Sequence, residues 1–314
     1  MLTLSLVIPA TNRPPTLGRV LDAVSSAAAS PEEVIVVDRP ERLGPAGARN
    51  LGARRASGDV LVFVDADVEV HEDAFARIRA AFEQDGALTA VFGSYDDDPA
   101  AGGVVSDFRN LLHHHVHHEA AGEATTFWAG LGAMRREAFL DAGGFDERRY
   151  PYPSIEDIEL GARLSRQGAR IVLDPAIQGK HLKRWTLASM TTTDLLRRGV
   201  PWLRLLLEEG SPSTALNLGW RHRVGTASAV LLVPALLRRR HRSALAIVAL
   251  LLALDRRFYV LLLRRRGGTQ LAAGVPLHVV HRLTSAVAVP LALAGHLAER
   301  GTTPPGRPDR HRRL

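Results

Sequence analysis

The sequence contains no cysteine, which excludes disulfides, thiolate metal sites and cysteine nucleophiles. Lys180 and Lys183 are the only lysines among 40 basic residues, and aromatic residues make up 5% of the chain. The opening stretch, Met1–Pro9, has no basic lead and too short an apolar run, so no signal peptide is expected. Acidic residues are scarce in one region only. Residues 1–200 carry 22 basic against 28 acidic side chains, whereas 201–314 carry 18 against 5, so the net charge of +7 hides two opposite halves. With 314 residues, 46% of them hydrophobic and 23% charged, the chain is long and apolar enough to fold. Three regions are expected: a domain over 1–200, a basic helical region over 201–300, and a Pro/Arg-rich tail over 301–314 without fixed structure.

Within the first domain, Leu4–Ile8, Val34–Val37 and Val60–Val64 are short, nearly continuous apolar runs. That is the pattern of central strands covered on both faces. Leu17, Val20, Leu21 and Val24 recur at helical spacing, and Ala46–Ala56 is a small-residue helical stretch. The alternation β-α-β-α-β predicts a doubly wound, mostly parallel sheet, whose ligands bind at the carboxyl ends of the strands. Asn12, Asp38, Asp65 and Asp67 all fall at those ends. Ser154-Ile155-Glu156-Asp157 reads as a capping box opening a further helix.

Asp65 and Asp67 are two residues apart on an extended segment, so their carboxylates project to the same side. Two such acids repel unless a cation lies between them and a phosphate, and hard oxygen ligands suit Mg²⁺ or Mn²⁺. The alternative is a solvated strand-end turn. His181 is the candidate third ligand, with Lys180, Lys183 and Arg184 adding charge beside a diphosphate. His113, His114, His115, His117 and His118 form i, i+4 pairs able to chelate, but no carboxylate completes a catalytic motif. A solvated or acceptor-facing helix is the reading preferred there.

Several blocks together resemble the family 2 glycosyltransferases, which have the GT-A fold. They are Leu6–Pro14, Glu33–Asp38, Gly44–Gly52, Ser57-Gly58-Asp59 leading into Asp65-Ala66-Asp67, Gly143–Glu147 and Glu156-Asp157, in the family's order and covering about residues 4–185. The resemblance implies a Rossmann-like sheet with flanking helices, a nucleotide-sugar donor and an inverting, metal-dependent sugar transfer. It implies that Thr11, Asp38, Arg49, Asn50 and Asp65 hold the donor, and that Asp65 and Asp67 hold the metal, to which His181 is added as the candidate third ligand named above. Asp157 falls where the family keeps the base that deprotonates the acceptor hydroxyl. Trp128, Gly130 and Glu156 fall on the acceptor side. The sequence departs from the family after Asp38, where only Arg39–Leu43 precede Gly44. An edge strand is therefore expected to be missing, with consequences for base recognition.

In the second region, Val224–Leu237 and Ala244–Leu254 are apolar runs shorter than a membrane span, and Leu271–Leu297 is interrupted by Gly274, Pro276 and Pro290. Arginines flank every run: Arg238–Arg242, Arg256-Arg257 and Arg264–Arg266. A hairpin crossing twice would violate the positive-inside rule. Helices lying in, or dipping into, the cytoplasmic leaflet, their arginines on anionic headgroups, fit better, with two or three shallow spans or a soluble helical bundle as the alternatives. The expected acceptor is therefore lipid-linked or an envelope polysaccharide. Nucleic acid is not expected, since the arginines alternate with Leu and Val and no aromatic platform accompanies them. A nucleotidyltransferase on a related α/β sheet, and a non-catalytic membrane scaffold, are the alternatives.

Overall fold

The computed structural model describes residues 2–210, 216 and 219–302. The three apolar runs form β1 (Leu4–Pro9), β2 (Glu33–Val37) and β3 (Val60–Val64), joined by α1 (Leu17–Ser26) and α2 (Pro45–Arg55). There follow β4 (Val68–Val70), α3 (Ala74–Gln84), β5 (Leu88–Tyr95), α4 (Val104–Glu119), β6 (Gly122–Ala124), β7 (Leu131–Arg135), α5 (Arg136–Asp141), α6 (Glu156–Arg166) and β8 (Arg170–His181). One sheet results, in the order β2-β1-β3-β7-β5-β8-β4, with β6 on β8. The β2-β1-β3 portion is parallel, as is β5 on β8, while β7 runs antiparallel between β3 and β5. β1 and β3 are central as expected. β2 is an edge strand, so Val34 is exposed and Ile35 and Val36 are half-buried, with Val37 alone buried, instead of all being covered on both faces. Among the described residues no further strand lies outside it, in keeping with the short link after Asp38.

Strand periodicity sorts the apolar side chains into two cores. Leu4, Leu6 and Ile8 with Val62 and Val64 face Phe75 and Ile78 of α3 and Val20 of α1. Val7, Leu61 and Phe63 face the other way, onto Phe139, Phe145 and Leu160. Each fully buried side chain of this kind stabilises the fold by about 1.5–3 kcal/mol.

The remainder is helical: α7 (Leu187–Thr192), a π-helical turn (Thr193–Gly199), α8 (Val200–Glu209), α9 (Trp220–Leu237), α10 (His241–Leu254) and α11 (Arg256–Thr302). Gly267, with φ 79° and ψ −176°, breaks α11 into two pieces. The tail expected over 301–314 lies outside the described residues except for 301 and 302, which end α11.

Several arginines of this region form ion pairs with the first domain while Arg257 and Arg265 stay largely exposed. Arg257 pairs with Glu119 at 2.8 Å, and Arg266 pairs with Asp98 and Asp107 at 3.1 and 3.0 Å. Arg265 pairs with Asp97. Two of the three clusters therefore meet acids of the first domain, whereas the exposed Arg238–Arg242 cluster has no ion pair among the described residues and lies beside exposed Leu236, Leu237 and Leu245. Opposite charges thus draw the acidic front half and the basic back half together across a shared interface.

Candidate active site

A cavity of about 1990 Å³ opens at the carboxyl ends of β1 and β3 and is closed on its far side by the C-terminal helices. Thr11, Arg49, Asp65, Asp67, Trp128, Glu156, Asp157 and His181 all line it. These residues are far apart in the chain, and chain topology alone brings them together.

Asp65 follows β3 directly, and its N–H donates to the Gly130 carbonyl at 3.0 Å. A tight turn then returns the chain, with the Val68 N–H on the Asp65 carbonyl at 3.0 Å. Val68 of β4 is paired with His181 at the end of β8, so strand register brings the imidazole beside Asp67. His181 Nε2 lies 3.6 Å from Asp67 Oδ2, beyond hydrogen-bond length. The ring is buried, stacked on Tyr95 with centroids 4.2 Å apart, and its Nδ1 meets Asn110 Oδ1 at 2.5 Å. Asn110 Oδ1 can only accept, so Nδ1 carries the proton and Nε2 turns a lone pair towards Asp67. Burial pushes the Asp67 carboxyl up, but His181, when its ring carries a second proton at Nε2, and Lys183 pull it down further, below the usual carboxylate range. An acceptor nitrogen and an ionised carboxylate facing one another across a gap suit a divalent cation. Among the described residues no three His, Asp or Glu side chains converge closely enough to hold one alone. Asp67 and His181 offer two ligands, and a bound diphosphate is the natural source of others.

Asp65 is differently engaged. Its Oδ1 accepts from Arg49 at 2.5 Å, and Arg49 also reaches Glu156 Oε1 at 3.0 Å. Burial, opposed by Arg49 and reinforced by Asp67, holds the Asp65 carboxyl above its ordinary range. Arg49 is itself buried, so it serves as a rivet between β3 and α6, and only its edge faces the cavity. Glu156 has its second oxygen on the Ser154 N–H at 2.9 Å. The capping box is thus not formed: Ile155 is the N-cap, and the Ser154 hydroxyl donates to the Arg197 carbonyl at 2.8 Å. The reason is tertiary, since the π-helical turn offers that hydroxyl a closer partner than its own helix.

Asp157 sits beside this rivet. Its Oδ2 accepts from the Ala129 N–H at 3.0 Å and its Oδ1 from the Ile158 N–H at 2.8 Å. Burial first, then the neighbouring Glu156, pushes its pKa up to about 6, against the opposing pull of Arg49 and the two N–H groups. That is a carboxylate able to accept a proton near neutrality. α6 can approach because Gly161 has no side chain: a Cβ there would lie 2.2 Å from the Phe127 nitrogen.

Three expected residues do not line the cavity. Asp38 is exposed at the end of β2. Asn50 is buried and clamps the turn after α5, donating to the Phe145 carbonyl at 2.8 Å and accepting from the Phe145 N–H at 2.9 Å. Gly130 is buried under Trp128, whose indole lies 2.5 Å from where its Cβ would be. Its carbonyl anchors Asp65 instead. Thr11 does line the cavity, with its hydroxyl donating to the Leu43 carbonyl and so bracing the short link before α2.

Several lining residues were not foreseen. Tyr95 and His113 pack against Trp128 at centroid distances of 4.9 and 4.8 Å, and the half-buried His113 lies 4.0 Å from the buried His117. The histidine helix α4 is wedged between β5 and α11 and turns His113, His115 and His117 to the cavity, which fits the acceptor-facing of the two expected readings over the solvated one, while His118 is exposed. Burial pushes His117 down to about 4, and His113 well below its usual range, so both are neutral. The far wall comes from the basic region: Arg198, Trp202, His281 and Arg282 all face the cavity. A buried chain of pairs joins the two halves, Arg109 on Asp194 and Asp194 on His281, each at 2.9 Å. Nothing in the local sequence signals these contacts.

Residues 26–142 match the family model described as Glycosyl transferase family 2. The chain is 27% identical to the O-antigen biosynthesis protein RfbC of Myxococcus xanthus, over 54% of this chain and 16% of that one. It is 27% identical to a poly-beta-1,6-N-acetyl-D-glucosamine synthase of Staphylococcus aureus, over 54% of this chain and 40% of that one. It thus spans less than half the length of these relatives. The fold is similar to that of the mannosyltransferase PcManGT from Pyrobaculum calidifontis, solved with GDP-Man and Mn²⁺. That match has a TM-score of 0.52 at 18% identity, covering 95% of this chain and 88% of that one. The architecture is GT-A, a mixed sheet with flanking helices, followed by a long apolar C-terminal helix.

Proposed function

We propose, from the match of residues 26–142 to Glycosyl transferase family 2, that the chain is an inverting, metal-dependent glycosyltransferase. It moves a sugar from a nucleotide-sugar donor to a lipid-linked or envelope-polysaccharide acceptor at the cytoplasmic face of the membrane. One observation carries the reading: Asp67 and His181 face one another in the same cavity that holds Asp157, with its raised pKa.

Asp157 accepts the proton of the acceptor hydroxyl as that oxygen attacks the anomeric carbon. The new C–O bond forms on the face opposite the one from which the nucleoside diphosphate departs. Asp67 and His181 would hold Mn²⁺ or Mg²⁺, which, when bound, offsets the charge left on the diphosphate. Lys183, its ammonium pushed down by burial and held over Trp185 at 4.2 Å, adds a positive charge on the same side. Arg49 keeps Asp65 and Glu156 fixed so that both carboxyl-bearing walls hold their spacing. Trp128 presents an aromatic face to the acceptor.

The Mn²⁺ and GDP-Man in the Pyrobaculum structure, and the polysaccharide named for the Staphylococcus relative, support donor and acceptor class. For the membrane, the support is compositional. Among the described residues one helix, Arg256–Arg300, is long and apolar enough to cross a bilayer. Its inner face carries Gln270, His278, His281 and Arg282, all buried against the rest of the protein, which favours lying in the leaflet over crossing it. The test is a screen of UDP-, GDP- and dTDP-sugars with Mn²⁺ or Mg²⁺, scoring nucleoside diphosphate release. Metal-stimulated release that rises with membrane lipid extract is expected. Absence of turnover with every donor would sink the reading.

A further inference from the structure

The arginines that line the cavity and are withdrawn from solvent each hold a carboxylate, with one exception. Arg49 holds Asp65 and Glu156, Arg109 holds Asp194, and Arg282 holds Asp255. Arg198 is half-buried in the same cavity and has no ion-pair partner among the described residues. Withdrawing a guanidinium from water without an anion is unfavourable, and each buried arginine of the cavity is paired, while Arg42, Arg184, Arg197 and Arg256, which have no ion pair among the described residues, are exposed. Burial holds His113, His117 and Lys183 below their usual ranges and the Arg198 charge adds to it, and the same charge helps hold Asp194 down without forming an ion pair to it.

Its position is built by an unusual backbone. Arg198 belongs to the π-helical turn Thr193–Gly199, which is pinned by the buried Asp194 to Arg109 and His281. π-Helical turns are rare and concentrate at functional positions. Gly199 lets α11 close on it, since a Cβ there would lie 3.0 Å from that of Ala288. Immediately after, Trp202, Leu203 and Leu206 line the cavity with apolar surface, as do Trp220 and Val289, both of them largely exposed. An unpaired guanidinium at the head of an apolar wall matches an amphiphile with a phosphate headgroup.

We propose that Arg198 binds a phosphate group of the acceptor, and that the acceptor is a lipid phosphate or diphosphate whose chain follows the wall formed by α8, α9 and α11. The inference rests on the glycosyl-transfer reading and specifies its acceptor. The donor's diphosphate would be met by the Lys183 ammonium and by the cation that Asp67 and His181 would hold, which leaves Arg198 for a second phosphate.

The test measures binding of farnesyl phosphate, farnesyl diphosphate and farnesol to the full chain, and separately of UDP and GDP with Mn²⁺. The wild type is expected to bind the farnesyl phosphates and to bind farnesol at least about 10-fold more weakly. Arg198→Gln should weaken the farnesyl phosphates by about 10-fold or more while leaving the nucleotides within about 2-fold, and Arg198→Lys should recover some of the loss. Unchanged thermal melting of both variants separates this from misfolding. Equal binding of farnesol and farnesyl phosphate, or no effect of Arg198→Gln on either phosphate, overturns the proposal. A loss of UDP or GDP instead assigns Arg198 to the donor and overturns it equally. Failure of the broader reading shows separately, as wild-type protein that binds no nucleotide with Mn²⁺.

Discussion

His181 Nε2 faces Asp67 Oδ2 across 3.6 Å, while the opposite nitrogen of the same ring is tied to Asn110. The imidazole is thereby fixed in the tautomer that leaves Nε2 an acceptor, and the gap before Asp67 suits a cation. Asp67→Ala is expected to reduce metal-stimulated transfer by about 10²–10³-fold without lowering the melting temperature. Full activity in that variant would remove the metal assignment.

Asn110 acts through His181. Asn110→Leu frees the ring to rotate and is expected to weaken Mn²⁺ binding by about 10–100-fold. Titration of Mn²⁺ in the presence of UDP measures it, and an unchanged midpoint would show that the Asn110 contact has no role in ligation.

Asp157 must be ionised to take a proton, and its pKa is pushed up to about 6 by burial and by Glu156. Because protonation inactivates a base, kcat/KM should rise with pH through about 6 and level off above it. Asp157→Asn should abolish that limb and cut kcat by about 10²–10⁴-fold, with nucleotide binding retained. A wild-type profile flat between pH 5 and pH 7, on the order of one unit each side of that value, would contradict the assignment.

Arg49 lies between Asp65 and Glu156, and its removal would leave the buried Glu156 and the half-buried Asp65 carboxylates without a counter-charge. Arg49→Met is expected to destabilise the fold by about 3–5 kcal/mol, read as a lowered chemical-denaturation midpoint. Arg49→Lys, which cannot fork to both acids, should recover only some of it. Unaltered stability would mean that the two carboxylates are protonated in the folded state.

The arginine clusters should separate in their effect on membranes. Arg238, Arg239 and Arg240 are exposed beside exposed leucines, whereas Arg265 and Arg266 are paired with Asp97, Asp98 and Asp107. Changing the first three to Glu should weaken sedimentation with anionic phosphatidylglycerol vesicles by roughly 1 kcal/mol per charge removed, or more. Changing Arg265 and Arg266 to Ala should leave it nearly unaltered. The reverse order would show that the interface with the first domain opens on lipid.

How much of this is legible in the sequence depends on the range of the interactions involved. The strands β1, β2 and β3 and the helices between them follow from local periodicity, and so does the position of Asp65 and Asp67 at a strand end. Those features depend on neighbours along the chain, where a period of 2 or 3.6 declares itself. The motif order also marks Asp157 and His181, although their meeting in one cavity requires strand register across β4 and β8. What local sequence could not carry was the use of each polar group once the chain had closed. Asn50 clamps a turn, Ser154 leaves its own helix for the π-helical turn, and Arg257, Arg265 and Arg266 bind acids more than 130 residues away. Charge attracts without regard to sequence separation, so an arginine facing a headgroup and an arginine facing a distant aspartate look the same in the chain. The pair of aspartates was set by the sequence alone. That its partner wall comes from the basic helices was decided only when those long-range pairs brought the two halves together.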